Sequence, residues 1–340
     1  MAIKQNAGNE SPIDAVIPWV DGADPKHKAR LEAYLASIGG ARPRSASPSR
    51  FHNSNEIEYC VVSLLRFASW IRTIYIVTDQ QIPELIHKLK GTVYESRVRV
   101  IDHKAIFAGY EDCLPTFNSS TILTMLWRIP GLAEQFLFLN DDFALIRPVQ
   151  PRDFFCENGV VLRGNWRKFS DKSFGKRLVN FLRSLIYGSQ PKEKIRVGYI
   201  AAQEVSAKIV NFSDRYFQVP HNPHAWRVST FRDFFEDHPE ILKFNIGFRL
   251  RSPEQFIGEA LSAHLELKKS AGVIDDKLST LQLKPADQSE FRIKFKLFNA
   301  DRDSSIAFVC VQNLENASEE KQKIVMAWLN RRVGLLSDLV

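Results

Sequence analysis

The sequence predicts an α/β protein whose sheet is mostly parallel and flanked by helices. Short apolar runs recur at residues 13–20, 73–78, 98–101 and 136–139, and each stops abruptly at polar residues. The segments between them place apolar residues at helical spacing, as Ile57, Val61, Leu64, Leu65 and Ala68 do. Strand and helix alternate, the pattern of parallel neighbours joined by crossover helices.

The first strand, residues 13–20, runs into Asp21-Gly22-Ala23-Asp24-Pro25, a dense set of turn formers. Gly22 would let the backbone approach a ligand and Trp19 would stack on a base; a core Trp beside a plain Asp-Gly turn reads equally well. Residues 26–38 form a helix with Leu31, Tyr34, Leu35 and Ile38 on one face, ended by Gly39 and Gly40. Residues 41–49 are an Arg-, Ser- and Pro-rich loop that delivers Arg50. Residues 55–70 form the second helix, with Asn55 as its cap and Arg66 off its apolar stripe.

Strand 73–78 exits through Asp79-Gln80-Gln81, and strand 98–101 through Asp102-His103. A loop rich in hydroxyls and amides, residues 114–120 with Asn118, leads into a helix at 121–128.

The central stretch is FLFLNDDFALIRPV, residues 136–149. A continuous apolar run reads as a buried strand. It ends at Asn140-Asp141-Asp142, and adjacent carboxylates at a strand end are costly to leave unpaired. Mg2+ or Mn2+, hard cations that take oxygen ligands, would resolve that cost. A polar turn capping the next element would use the same residues. The carboxyl edge of such a sheet is also where α/β proteins bind ligands.

Residues 163–196 carry ten Lys and Arg against Asp171 and Glu193, with aromatic residues interleaved. Residues 174–187 read as an amphipathic basic helix, suited to an anionic membrane, an anionic polymer, or simple solvation. His221 and His224 sit in a Pro-bounded stretch, PHNPHAWR, where a preset loop would hold a general base; hydrogen-bonded structural histidines read equally well. A helix follows at 229–238. Arg249 and Arg251 precede a helix start at Pro253, and a guanidinium suits a phosphate. Residues 259–269 are helical, residues 270–305 carry no clear pattern, and IAFVCV at 306–311 is a late strand. Asn316 with Glu319 has the spacing of a capping box for the last helix.

The chain has 340 residues, 44% hydrophobic and 25% charged, which fits one large or two medium globular domains. No apolar run approaches a membrane span, and the first residues have no apolar signal core. Cys60, Cys113, Cys156 and Cys310 lack metal spacing and read as free thiols. These features predict a cytoplasmic protein, with the inner face of the plasma membrane as an alternative seat. The net charge of +7 favours anionic partners. No repeat, zinc-finger or RNA-binding signature is present, so nucleic acid is not an expected partner.

Taken together, IDAVIPWVDGADP (13–25), ASWIRTIYIVTDQQIP, LPTFNS, RIPGL and FLFLNDD within 50–149, and HNPHAWR with FRLRSPE make the chain resemble the Stealth family of capsular polysaccharide phosphotransferases, relatives of the eukaryotic N-acetylglucosamine-1-phosphotransferase. The resemblance implies a Rossmann-like, GT-A-like fold with a helical basic insertion. It implies residues 1–150 as the N-terminal part of a nucleotide-sugar-binding core, 151–215 as the insertion, and 216–340 as the part that completes the core. The implied reaction moves hexose-1-phosphate, or N-acetylhexosamine-1-phosphate, from a UDP-sugar to an oligosaccharide or polysaccharide-phosphate acceptor and releases UMP. The capsule machinery and the inner membrane surface are the further partners it implies.

On this reading Asp141 and Asp142 hold Mg2+ or Mn2+. His221 is the general base, with His224 second, and Asp21, Arg251 and Asp142 act on the reacting phosphate. Trp19, Gly22, Gln81, Asn118, Arg50 and Arg66 contact the donor. Gln80, Gln255, Gln312-Asn313 and Asn53 depart from the residues usual in that pattern: Gly, Asp, Asn-Asp and Asp respectively. A metal-dependent glycosyltransferase releasing UDP, and a non-catalytic anion-binding protein, are the alternatives.

Overall fold

The computed structural model of the protein describes residues 11–39, 42–47, 51, 55–157, 159–170 and 198–340. Four parallel strands, β1 (Ile13–Pro18), β2 (Ile74–Thr78), β3 (Val98–Asp102) and β4 (Gln135–Phe138), form most of one sheet. A fifth strand, His224–Arg227, joins antiparallel to β4, so the order is His224–Arg227, β4, β1, β2, β3. Helices α1 (Pro25–Ile38), α2 (Glu56–Phe67), α3 (Glu84–Leu89), α4 (His103–Ile106) and α5 (Ser119–Met125) lie in the connections. The architecture is α/β, with a mostly parallel sheet flanked by helices.

Alternation along the strands feeds two cores. Ala15, Ile17, Ile74, Ile76 and Leu137 face the larger one, while Val16, Tyr75, Val77, Phe136 and Phe138 face the other. α2 is buried continuously from Ile57 to Leu65, more than its single apolar stripe predicts. It packs on β5 (Phe143–Leu145), which lies in a second sheet with Ile306–Val311 and Ser279–Leu283. The Leu145 N–H donates to Ser63 Oγ at 3.0 Å, joining helix to sheet.

Several local expectations change. Asn55 adopts φ 66° and makes no cap bond; its amide donates to Glu58 Oε2 instead. Ser318, not Asn316, precedes the last helix, Glu319–Arg332, and no side chain caps it. No helix starts at Pro253; it starts at Gly258, because residues 248–256 are tied down as a loop. Within 163–196, Arg163 is buried over the Phe154 and Phe308 rings, and Asn165–Lys168 is a strand. The helix expected at 174–187 lies outside the described residues. Among the described residues, no helix is long and apolar enough to cross a membrane.

Two departures from the family pattern have local causes. Gln80 sits at φ 57°, a left-handed conformation that glycine adopts without penalty. Gln255 is the centre of a buried network. Its Oε1 accepts from Asn118 Nδ2 at 2.8 Å and from the Ser252 N–H at 3.0 Å. Its Nε2 donates to the Asn245 carbonyl at 2.8 Å and to Thr121 Oγ1 at 3.2 Å. Asn118 also caps α5 by accepting from the Ser120 N–H.

At the amino edge of the sheet, the fully buried Asp14 carboxylate binds three starting strands together. It accepts from Arg72 Nε at 2.9 Å, from the Thr73 N–H at 3.1 Å and from the Ala133 N–H at 2.8 Å. Asp14→Ala leaves those two N–H groups unpaired and is expected to cost about 3 kcal/mol in urea unfolding. Gln255→Glu keeps size but removes two donors, and about 2 kcal/mol is expected; a loss below about 0.5 kcal/mol would show that the 248–256 loop does not depend on the network.

Candidate active site

A cavity of about 840 Å3 opens at the carboxyl edge of the main sheet. Pro18 ends β1 and Trp19 follows it, Asp79 follows β2, His103 follows β3, and Asn140, Asp141 and Asp142 follow β4, all on its wall. The later chain closes it with Tyr199, His221, Arg251, Glu259 and Gln312. Parallel strands end together, so their exit residues converge on one crevice.

Part of the lining is acidic. Burial pushes the Asp141 carboxyl well above its usual range, with Asp142 and Glu56 adding to the shift. Burial, with Glu56, raises Asp142 to about 7. The Cys310 thiol approaches Asp142 Oδ2 at 3.7 Å, while Oδ1 has no hydrogen-bond partner among the described residues. The Val311 N–H donates to the Asp142 carbonyl at 3.0 Å, fixing the acidic pair beside Gln312 and Asn313.

Arg251 Nη2 donates to Ser119 Oγ at 2.6 Å. The Asn118–Gln255 network holds both ends of that contact, so these two residues position the arginine. His221 stacks on Tyr199 with ring centroids 4.2 Å apart. Burial, then Lys284 and Arg251, pushes its imidazole down to about 4, so it is neutral at pH 7 with a lone pair available. Glu259 is raised to about 7 by burial, with Arg251 opposing.

A further set of lining residues is partly aromatic. Trp19, His27, Phe51, His103, Thr116 and Phe117 make it up. Trp19 Nε1, both ring nitrogens of His27, His103 Nδ1 and Thr116 Oγ1 are buried without hydrogen-bond partners among the described residues. Burial lowers both histidines, His103 to about 4, so neither carries charge at neutral pH. Arg30 pairs with Asp79 at 2.9 Å and satisfies the one carboxylate there whose partner is shown.

Asp141, Asp142, His221, Arg251 and Trp19 therefore share one cavity. Asp21 is not among the described residues on its wall; its Oδ1 accepts from the Ala23 N–H at 2.8 Å, closing its own turn. Gln81 fastens that turn by bonding Asp21 N–H, Asp21 carbonyl and Asp24. Gly22 allows close approach, but of Phe51: its N–H donates to the Phe51 carbonyl at 2.6 Å, and a Cβ there would come within 2.4 Å of it. His224 lies in a strand, stacked on Phe138, and is not among the wall residues. Arg66 is exposed and reaches the Asp338 carbonyl at 3.4 Å, away from the cavity. Arg50 lies outside the described residues.

Cavity residues that are not candidates from the sequence include His27, Asp79, His103, Tyr199 and Glu259. Asp79 and His103 directly follow strands, so the strand-end rule that selected Asp141 and Asp142 applied to them as well.

Asp141 and Asp142 fit a divalent cation. They are neighbouring carboxylates whose protonation burial favours, and one oxygen is unpartnered. Among the described residues, no group of three or more His, Cys, Asp or Glu is arranged to hold a metal. Mg2+ is commonly held by one or two carboxylates with substrate phosphates completing the shell, and that is the mode these residues match.

Residues 11–39 match Stealth protein CR1, conserved region 1, and residues 50–162 match Stealth protein CR2, conserved region 2. An exopolysaccharide phosphotransferase of Streptomyces coelicolor is 36% identical over 236 residues, 67% of this chain and 22% of that protein. A second from the same organism is 46% identical over 151 residues, 44% of this chain and 26% of that protein. The capsular polysaccharide phosphotransferase LcbA of Aeromonas hydrophila is 37% identical over 163 residues, 47% of this chain and 43% of that protein. The chain thus spans less than half the length of each of these relatives.

Among solved structures, mouse xyloside xylosyltransferase 1 in its apo form aligns over 88% of this chain and 97% of its own, with 10% identity and a TM-score of 0.38. The apo structure of the bifunctional glycosyltransferase WbbM aligns over 94% and 52%, with 11% identity and a TM-score of 0.43. Likenesses this loose say nothing about donor or chemistry. With both conserved regions present in order, and with relatives at this level of identity, the chain belongs to the Stealth protein family.

Proposed function

We propose that this chain contains the catalytic core of a sugar-1-phosphate transferase of capsule or exopolysaccharide synthesis. The donor is a UDP-sugar and the acceptor a hydroxyl of an oligosaccharide or polysaccharide phosphate. The observation that carries the reading is the mixed lining of one cavity: aromatic rings and unpaired polar side-chain atoms together with paired acids, His221 and Arg251. A nucleotide sugar likewise combines an uncharged heterocycle with a diphosphate. Family membership and the names of the relatives support the phosphoryl chemistry.

In this reading Trp19, His27, His103 and Thr116 receive the base. Arg251 holds the transferring phosphate, as a guanidinium suits phosphate oxygens. His221 accepts the proton of the acceptor hydroxyl while its oxygen bonds to the β-phosphorus. The bond from that phosphorus to the bridging oxygen breaks, UMP leaves, and a phosphodiester forms. A divalent cation held by Asp141 and Asp142 would neutralise phosphate charge during transfer. Segments 1–150 and 216–340 would together form this core, with 151–215 inserted between them. Such a reaction uses a donor made inside the cell, which is the basis for a cytoplasmic or inner-face location.

Incubation with Mg2+, a panel of UDP-sugars and capsule-type oligosaccharide phosphates, followed by identification of the released nucleotide, tests the reaction. UMP with phosphorus retained in the product is expected; UDP would make the enzyme a glycosyltransferase. His221→Ala and Asp142→Asn should each lower turnover by at least about 100-fold with the fold intact by circular dichroism. Full turnover in either folded variant removes that residue from the mechanism. With Mg2+ saturating, so that Asp141 and Asp142 stay ionised, the lowering of His221 to about 4 means that kcat/KM should hold from pH 8 down to about 5 and fall as pH approaches that value. An acid limb centred near 6.5, the ordinary histidine value, that does not move with Mg2+ concentration would contradict this assignment.

A further inference from the structure

The Glu290–Arg302 helix has two opposed faces. Ile293, Leu297 and Ala300 are buried, and the helix packs on the Ser279–Leu283 strand and the Glu319–Arg332 helix. Phe291, Phe295 and Phe298 stand on the other side, 80%, 55% and 51% exposed. At 100° per residue they fall within an arc of about 60°. Phe291 and Phe295 stack, and the Arg302 guanidinium lies 4.2 Å over the Phe298 ring. Three phenyl rings held together in water on one helix are a sign of a contact surface rather than of ordinary scatter.

The surrounding charge decides what the contact is. Arg292 flanks the rings on one side and Lys294 on the other, both exposed, and Arg302 sits at their carboxyl end. The two acids of this helix are both paired. Glu290 pairs with Lys294 at 3.7 Å, and Asp301 is taken by Trp328, Arg331 and Arg332.

We propose that this face seats the protein on an anionic lipid surface. The rings enter the headgroup boundary, and Arg292, Lys294 and Arg302 meet lipid phosphates, the division of labour of an interfacial amphipathic helix. Charge complementarity favours lipid over the other occupants. A second copy of the same face would set cations against cations. Residues 171–197 carry seven Lys and Arg against Asp171 and Glu193, so that segment is repelled too. The helix is already fixed to the body by its other face, so docking needs no refolding.

Co-sedimentation with vesicles of phosphatidylcholine, with and without phosphatidylserine, tests the proposal. The protein is expected to pellet with the phosphatidylserine vesicles, to be released by salt, and to pellet little with phosphatidylcholine alone. The triple variant Phe291→Ser/Phe295→Ser/Phe298→Ser, checked for fold by circular dichroism, should bind at least about ten-fold more weakly, as should Arg292→Glu/Lys294→Glu. Vesicle binding unchanged in the folded triple variant would overturn the proposal by moving the contact elsewhere. No vesicle binding at all would overturn it too. If that result came with a dimer, seen by light scattering, that the triple variant loses, the face would instead be an interface between copies.

Discussion

The groups at the cavity depend on a carboxylate at the opposite edge of the sheet. Asp14 holds the starts of β1 and β2 and the approach to β4 by accepting from Arg72, Thr73 and Ala133. Parallel strands of nearly equal length that start together also end together. Trp19, Asp79 and Asn140 to Asp142 therefore arrive at one level because the register was set at the other end. Arg72 keeps solvent contact while Asp14 has none, so the pair avoids much of the desolvation that makes fully buried ion pairs weak.

The cavity is assembled from distant parts of the chain by different means. β-strand exits supply the acids, Trp19 and His103, with backbone geometry doing the aiming. Tyr199, His221, Arg251 and Glu259 come from loops and helix starts, which need their own anchors. Gln255 and Asn118 provide one such anchor for Arg251, and stacking on Tyr199 provides another for His221. The antiparallel His224–Arg227 strand explains why the two histidines of one short stretch have separate fates. It draws His224 into the sheet against Phe138, while His221, three residues earlier, stays on the cavity wall.

What was legible in the sequence follows the strength of local signals. Continuous apolar runs located β1 to β4, and helical spacing located α1, α2 and the last helix, because burial dictates those patterns. β5 was missed since three residues after an acidic pair carry too little periodicity, and the strands and helix of 272–302 were missed for want of a single buried face. Asp141, Asp142, His221 and Arg251 were legible as chemistry out of place in its surroundings. The structural partners of Gln81, Asn118 and Gly22 are not legible, because an amide or a glycine in a loop looks the same whether it serves a ligand or the backbone. His27 was invisible, since on a helix it reads as a surface residue, yet it is 3% exposed.

The unpaired polar atoms of the cavity reach beyond recognition. Trp19, His27, His103, Thr116, Asp142 and Glu259 each keep at least one buried atom without a partner among the described residues. Such atoms weaken a folded state, typically by about 1–3 kcal/mol each, so the fold is least satisfied where it is meant to be filled. A molecule that pairs them completes the core as well as occupying the site. Occupancy and folding then share one equilibrium, and the amount of intact protein becomes tied to the supply of what it binds.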